Sequence, residues 1–258
     1  YETAARARPD QAEPHWRAAA VVDAFYLECA NVRGTLCGPR LSVAHAERAI
    51  RYWQAAERLT PLDPQLTDRV LIARALLHTR LATPAHLEAA RVDYLRALDR
   101  IRGLAPIDAM SPNALRRGFV LGNLAETHMM LGDLDRAIET YREAQRLAPD
   151  FSRGFGLAVA LDRDEQPSAA FEVLRSLGPD ALERFVAEVA SEQVFFVPDG
   201  EVAYYLGLAA EHQGDVVAAL EHFEAFIASG AHPRYQPRAR AHLVALQARL
   251  AARLRGRR

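Results

Sequence analysis

Residues 121–149 read LGNLAETHMMLGDLDRAIETYREAQRLAP and decide the fold of the chain. In this stretch Ala137, Tyr141 and Ala144 follow one another at spacings of four and three residues, and Pro149 comes five residues later. These spacings place the three side chains on one face of a helix, where small alanines let a neighbouring helix approach and the aromatic ring fills the space between. Proline ends a helix because it lacks a backbone donor. The stretch therefore predicts a closely packed helix that stops near Pro149.

A tight turn precedes this helix. Gly132 suits the left-handed conformation that ends a helix, and the side chain of Asp133 can cap the next helix. Residues 121–131 upstream have the apolar periodicity of another helix, so the predicted unit is a helix, a turn and a helix. Residues 202–212 and the turn Gly214-Asp215 repeat the arrangement.

The spacing of small and aromatic residues returns along the chain. Such self-similarity predicts a repeat protein. The further copies are Ala49, Trp53, Ala56 and Pro61; Ala219, Phe223 and Phe226; Ala90, Tyr94 and Ala97; and, in part, Tyr1, Ala4 and Pro9.

This pattern resembles the tetratricopeptide repeat, a helix-turn-helix unit of about 34 residues. The resemblance implies an all-α fold, a right-handed superhelical solenoid of antiparallel helix pairs with a C-terminal capping helix. It also implies a module that binds a peptide, a helix or a partner domain on its concave face, rather than an enzyme. The residues that carry it are Leu124-Ala125, Gly132, Ala137, Tyr141, Ala144 and Pro149, and, in the second copy, Leu206-Gly207, Gly214, Ala219 and Phe223.

The copies predict one continuous domain over residues 1–258. Because the first residues resemble the second half of a helix with no cap before it, we expect that an upstream segment has been removed. In the last helix, a stripe of Leu243, Leu246, Leu250 and Leu254 is expected to face the solenoid. The predicted segments are the end of a repeat at 1–9, a repeat at 12–61 with an inserted loop at 31–40, repeats at 64–103 and 111–149, a degenerate repeat at 152–178, an extra helix and an apolar loop at 179–199, a repeat at 200–231 and a capping helix at 236–256.

Composition excludes several other classes of protein. The 32 basic and 33 acidic residues leave a formal charge of -1, which disfavours a nucleic-acid-binding protein of the usual basic kind. No stretch approaches the about 18 consecutive apolar residues of a membrane-spanning helix. All the basic residues are arginine, which we interpret as the codon bias of a GC-rich bacterial genome.

Motifs for metal and cofactor chemistry are missing from the sequence. It has no HExxH, no P-loop and no GxGxxG. The triplets His45-Ala-Glu47 and His86-Leu-Glu88 lack the paired cysteines that would complete a zinc site, so we expect solvated histidines on helix surfaces. The sequence therefore predicts no metal, no cofactor and no catalytic residue.

The two cysteines, Cys29 and Cys37, lie eight residues apart around a loop that contains Gly34, Gly38 and Pro39. A disulfide between them would restrain the loop and stabilise the fold by roughly 2 to 3 kcal/mol. The alternative is two buried, reduced cysteines. Because disulfides persist in oxidising compartments, we expect an exported bacterial protein, periplasmic or attached to the outer membrane, with the cytoplasm as the alternative.

The resemblance also places a set of partner-binding residues, because the family's groove is lined mainly by the first helix of each repeat. Their aromatic, acidic and arginine side chains suit recognition of a peptide or a helix. The alternative is that a good part of them packs between neighbouring repeats. The candidates are Trp16 and Asp23; Asp68; Phe119, Asn123, Glu126 and Met129; Arg153 and Arg163; and Tyr204 and His212.

Two further surfaces have alternative interpretations. The family's lysine and asparagine clamp for a terminal carboxylate is not expected, because the chain has no lysine and the matching places hold Asp68, Gly122 and Glu126. The adjacent Phe195 and Phe196 are expected to pack against the extra helix, although an exposed hook for a partner is the alternative.

We therefore expect a non-catalytic scaffold or adaptor for a protein or peptide partner, in a bacterial envelope assembly or secretion system. A regulatory module of a larger enzyme, such as a kinase or a protease, is an alternative. A helical-repeat RNA binder is a weaker one, because the net charge disfavours it. Homo-oligomerisation through the N-terminal end also stays open.

Overall fold

The computed structural model describes residues 1–23, 43–59, 64–102, 112–190 and 200–255. These ranges contain helices, a single 3-10 turn at Pro233–Tyr235 and no strand. In chain order the helices are α1 (Glu2–Ala7), α2 (Ala12–Asp23), α3 (Val43–Leu59), α4 (Pro64–Leu81), α5 (Pro84–Arg102), α6 (Pro112–Leu131), α7 (Leu134–Leu147), α8 (Phe151–Arg163), α9 (Pro167–Ser176), α10 (Ala181–Ala190), α11 (Glu201–Gln213), α12 (Val216–Ser229) and α13 (Gln236–Arg255).

Each helix packs mainly against its neighbours in sequence, in the pairs α2 with α3, α4 with α5, α6 with α7, α8 with α9 and α11 with α12. Three clusters of buried apolar side chains run through the array. The first joins α2, α3 and α4 around Trp53, and the second joins α4 to α7 around Tyr94. The third reaches from α6 to α13 around Tyr141 and Phe223. The predicted all-α solenoid of helix pairs is confirmed.

The predicted turns have the expected backbone. Gly132 has φ +84° and Gly214 has φ +79°, in the left-handed region that favours glycine. The carboxylate of Asp133 accepts a hydrogen bond from the backbone N–H of Arg136 at 3.3 Å, and Asp215 caps α12 in the same way. Glycine and aspartate therefore act together to end one helix and begin the next.

The small and aromatic residues that revealed the repeat are buried. Ala137 and Ala144 have no exposed surface, and the Tyr141 ring between them is 4% exposed. A glycine on the next first helix makes room for that ring, because a Cβ at Gly156 would lie 2.5 Å from the Tyr141 hydroxyl. The spacing at residues 137–144 is thus a packing requirement between helices.

The capping helix α13 differs in part from its prediction. Leu246 is buried, and Leu243 and Leu250 pack against the third cluster. Leu254, however, is 60% exposed, so the predicted stripe is wrong at its last position. The reason is length, since α13 has 20 residues and α12, on which it packs, has 14.

Several predictions fall on residues outside the described ranges. These include the Cys29 and Cys37 disulfide, the inserted loop at 31–40 and the packing of Phe195 and Phe196, all of which stay predictions. None of the described helices has both the length and the apolar character that crossing a bilayer requires.

Candidate functional site

The first helices of the repeats share one pattern of exposure. Buried and half-buried residues follow one another in the same order from Val70 to Arg80 on α4 and from Val120 to Met130 on α6. Residues 14–20 of α2 repeat the beginning of that pattern. We call the accessible positions of these three helices the first-helix face. It consists of Glu13, Trp16, Arg17 and Ala20 on α2; Arg69, Ile72, Ala73 and Leu76 on α4; and Leu115, Phe119, Gly122, Asn123 and Glu126 on α6.

Neighbouring first helices share a buried cluster or an ion pair. Trp16 and Ala20 of α2 pack against the cluster that contains Val70 and Leu77 of α4. Arg116 of α6 extends to the Asp68 carboxylate of α4, with 3.8 Å between nitrogen and oxygen. The first-helix face is therefore continuous over three helices.

The exposure pattern corrects the register of one predicted residue. Asp68 was a predicted partner-binding residue, yet the position of α4 that matches Phe119 on α6 is Arg69, which is exposed. Asp68 is 4% exposed, and Arg100 Nε donates to its carboxylate at 2.7 Å. Asp68 is thus an internal anion, and sequence reasoning missed Arg69 because it placed α4 one residue out of register.

At the N-terminal end the predicted residues lie on α2. Trp16 is half-buried, and the Arg17 guanidinium lies 5.1 Å from the centre of its ring. Arg17 also pairs with Glu13 at 2.7 Å. Asp23 is the last residue of α2, and its side chain lies outside the described part of the structure.

Phe119 is the most exposed aromatic side chain of the first-helix face, at 44%. Leu115, one turn earlier on α6, is 47% exposed. The Asn123 amide donates to the Phe119 carbonyl at 2.9 Å. These residues form an apolar surface with a polar border on α6.

Arg153 of α8 packs over α6. Its side chain lies against Gly118 and Gly122, where a Cβ would approach it to 3.8 and 3.0 Å, respectively. Its Nη2 donates to the Ala148 carbonyl at 2.6 Å. Burial lowers the pKa of Arg153, and the negative charge of Asp150 offsets only part of this shift. This predicted site residue therefore joins two helices and has only 17% of its side chain exposed.

Glu126 marks the limit of the first-helix face. Its carboxylate accepts hydrogen bonds from the hydroxyls of Tyr141 at 2.7 Å and Tyr205 at 2.9 Å. Burial raises the pKa of Glu126, and the negative charge of Glu201 adds to the shift. The next three residues of α6, Thr127, His128 and Met129, are buried.

Three predicted partner-binding residues are buried beyond that limit. Met129 and Tyr204 have no exposed surface, and Arg163 is 5% exposed. They pack in the interior and do not lie on an accessible surface. His212 is half-buried, contacts the Phe171 ring and lines a pocket of about 130 Å³ between α8, α9, α10 and α11.

Arg163 is the centre of a buried set of charges. Its Nη2 lies 2.5 Å from the carboxylate of Glu201, and neither side chain is exposed. The guanidinium also lies over the rings of Tyr204 and Tyr235, at 4.4 and 4.1 Å. Burial raises the pKa of Glu201, but Arg163 and His232 outweigh it, so the net shift is downward.

A second buried set of charges holds α13. His242 lies between two carboxylates, with Nδ1 2.6 Å from Glu211 and Nε2 2.8 Å from Asp162. Burial disfavours the charged imidazole, but the two carboxylates outweigh it and raise the pKa of His242 to about 9. Burial also raises the pKa of Asp162, yet His242, Arg238 and Tyr204 lower it to about 2.

The segment before α13 covers the C-terminal first helices. The Tyr235 hydroxyl donates to the Met129 carbonyl at 2.6 Å, and Arg234 donates to the Leu131 carbonyl at 2.8 Å. Residues more than 100 positions apart are thus joined, and the end of α6 lies against the beginning of α13. α8 is buried from Gly154 to Arg163, whereas Val202, Ala203 and Leu206 of α11 are half-buried like the matching positions of α4 and α6.

The histidine triplets differ from their prediction in one respect. His86 is not simply solvated, because its Nδ1 lies 2.8 Å from Nδ1 of His78. Burial and the neighbouring His86 lower the pKa of His78 to about 4. Across the described ranges, no group of three or more His, Cys, Asp and Glu side chains could hold a metal ion.

Residues 118–151, which cover most of α6, all of α7 and the first residue of α8, match the family model of the tetratricopeptide repeat. The chain carries a tetratricopeptide repeat. The matched repeat includes four of the predicted partner-binding residues, Phe119, Asn123, Glu126 and Met129. Such repeats are in general modules of protein interaction rather than catalysts.

Comparison with solved structures found the crystal structure of BtubC (BKLC) from P. vanneervenii. It is 18% identical to this chain, with a TM-score of 0.44, over 83% of this chain and 91% of that one. The comparison with curated proteins gave no match.

Proposed function

We propose that the chain is a non-catalytic scaffold that binds a protein or peptide partner on the first-helix face. The observation that carries this proposal is the exposure pattern that α2, α4 and α6 share, next to a matched tetratricopeptide repeat. Leu115 and Phe119 lie one turn apart on α6 and are both nearly half exposed, so they form a small contiguous apolar patch. Partner contacts would cover them.

Site-specific photo-crosslinking tests the proposal in the source organism. A benzophenone amino acid replaces Phe119 in one variant and Leu95 of α5 in the control. The two positions are matched, at 44% and 48% exposure, but Leu95 lies on a second helix. We expect a discrete cross-linked protein from position 119 and none from position 95.

The proposal fails if both positions give the same adducts, or if position 119 gives none while the protein is present at its normal level. Partner contact through second helices would give the opposite pattern, with adducts from position 95 alone. Mass spectrometry of the adduct identifies the partner and the contacted segment.

We further propose that the scaffold serves a bacterial envelope assembly or secretion system. Its support is the pair of cysteines eight residues apart, together with the family's general use as an interaction module. Alkylation of unreduced protein, isolated from its native compartment under thiol-blocking conditions, tests this part. We expect neither Cys29 nor Cys37 to be labelled before reduction and both to be labelled after it. Labelling of both before reduction would remove the support for an oxidising compartment.

A further inference from the structure

The first-helix face combines apolar side chains with an excess of positive charge. Leu115 and Phe119 lie one turn apart on α6, with about half of each side chain exposed. Such a pair can receive the apolar side chain of a bound segment. The charges around the pair determine which segment fits.

Arginine outnumbers carboxylate on α4 and α6. The two helices together contain five arginines and two acidic residues. Arg74 is neutralised by Asp93 and Glu57, and Arg117 by Glu143. Two of the remaining arginines, Arg69 and Arg116, lie on either side of the junction between α4 and α6.

Neither acidic residue of these helices is available to a partner. Asp68 is buried, and Arg100 and Arg116 share it, so one positive charge there is uncompensated. The carboxylate of Glu126 is engaged by two tyrosine hydroxyls. On α2, Glu13 is paired with Arg17.

Arg69 adds to this excess. It is exposed, it occupies on α4 the place that Phe119 has on α6, and it forms no ion pair with any residue in the described ranges. Arg116 has 37% of its side chain exposed and Arg100 has 36%. Arg116 is next to Leu115 in sequence, and Arg69 holds the matching place of Phe119 on the preceding first helix.

We propose that the partner of the first-helix face is an acidic segment with an apolar anchor. This inference rests on the proposed function and names the chemistry of the partner. The anchor, a leucine or an aromatic residue, packs on Leu115 and Phe119. Neighbouring carboxylates of the segment face Arg69 and Arg116, since arginine pairs with carboxylate through directed hydrogen bonds. Charge complementarity then gives orientation and a faster encounter.

Selection from a random peptide library displayed on phage tests the proposal with the full chain as target. The displayed peptides have their C-termini fused to the coat protein, so the selection reports internal carboxylates of Asp and Glu. We expect enrichment of acidic sequences that contain Leu, Phe or Trp. Enriched peptides are then synthesised with either a free or an amidated C-terminus, which separates side-chain carboxylates from a terminal carboxylate.

Charge variants connect the selected peptides to the surface. In Arg69→Glu/Arg116→Gln, affinity for an acidic peptide should fall at least about tenfold, because one attraction becomes a repulsion and another is removed. The matched control is Arg142→Glu, an exposed arginine on the second helix α7, which should leave affinity unchanged. Circular dichroism and thermal unfolding check that each variant is folded. Binding of the natural chain should also weaken with added salt.

Each other outcome overturns a defined part of the argument. Enrichment of basic or uncharged peptides whose binding needs Phe119 would overturn the acidic partner and leave the proposed function intact. Binding that is insensitive to Phe119→Ala and to the charge variant would place the site elsewhere and overturn both. The absence of any enrichment would also count against both.

Discussion

At the scale of single residues, two glycines with the same backbone conformation have different surroundings. Gly132 and Gly214 both have positive φ. Nothing lies within 4 Å of a Cβ built at Gly214, whereas a Cβ at Gly132 would meet the Arg234 guanidinium at 0.9 Å. Arg234 in turn donates to the Leu131 carbonyl. A substitution at Gly214 therefore tests backbone strain alone, whereas the same substitution at Gly132 also tests the loss of the Arg234 contact.

We predict that Gly214→Val lowers the free energy of unfolding by about 1–2 kcal/mol, the cost of a left-handed conformation for a β-branched residue. Gly132→Val should cost about 1 kcal/mol more, because it also displaces Arg234 from its hydrogen bond. Urea unfolding of both variants measures the difference. Adding Arg234→Ala to each variant should remove that difference. Equal losses of unfolding free energy in the two single variants would show that the Arg234 hydrogen bond contributes nothing to stability.

Single residues also show where sequence reasoning succeeded and failed. The turns at Gly132 and Gly214 were predictable, because glycine and a following capping aspartate have a local physical cause. The register of Arg69 was not predictable, since α4 and α6 have different residues at matching positions and no turn motif like Gly-Asp follows α4. The pattern of buried residues on α4 decided that register, and this pattern depends on how neighbouring helices pack.

At the scale of helices, substitutions on α7 test how closely this helix packs against its neighbours. Ala137 has no exposed surface, while Glu139 on the same helix is exposed. We predict that Ala137→Leu destabilises the fold by about 1–3 kcal/mol, since added methylenes must displace packed atoms. Glu139→Leu, the control, should change stability by less than about 0.5 kcal/mol. Thermal unfolding compares them, and a neutral Ala137→Leu would mean that α7 has room on its packed face.

The attachment of α13 depends on charge as well as on apolar contact. His242 is 7% exposed between Asp162 and Glu211, and its ring stacks on Phe223. Arg238 and Arg249 pair with the same two carboxylates. The leucine stripe of α13 was predictable from periodicity, but this arrangement was not, because its members come from four helices and span residues 162–249.

This arrangement predicts a specific dependence of stability on pH. The pKa of His242 is raised from 6.5 to about 9 in the folded state, so folding is favoured when the imidazole is charged. The contribution is complete below pH 6.5 and is lost as the pH rises through about 9. For Asp162 the pKa is lowered from 3.8 to about 2, so its contribution is lost only as the pH falls through that range.

We predict that His242→Gln lowers the free energy of unfolding by about 3 kcal/mol near neutral pH, because two buried carboxylates lose their shared cation. The decline in stability between pH 6.5 and 9 should become shallower in this variant. His222→Gln, at a half-buried position on α12, is the control. Chemical denaturation across this pH range measures both effects, and an unchanged slope would show that His242 is neutral in the folded state.

At the scale of the whole molecule, the described helices form two regions with different roles. The first-helix face on α2, α4 and α6 is open, whereas α8 is buried from Gly154 to Arg163 and contacts the segment before α13 through Arg163 and Tyr235. The repeat pattern placed candidate partner-binding residues on first helices along the whole chain, because a repeat motif describes contacts between neighbours. Closure depends on Arg234 and Tyr235, whose partners lie on α6, more than 100 residues away.

This closure makes the end of α6 dependent on the C-terminal segment, and Tyr235→Phe tests the dependence. The variant keeps the ring but removes the hydrogen bond to the Met129 carbonyl, which should cost about 1 kcal/mol. In a solenoid with nearest-neighbour contacts only, the effect would stay near α12 and α13. We predict instead faster hydrogen exchange at the backbone amides of Gly132 and Asp133, which donate to Met129 and His128. Amides of α4, which lie on the open side, should exchange as before. Exchange that changes only in α12 and α13 would mean that the contact with α6 does not stabilise the closed region.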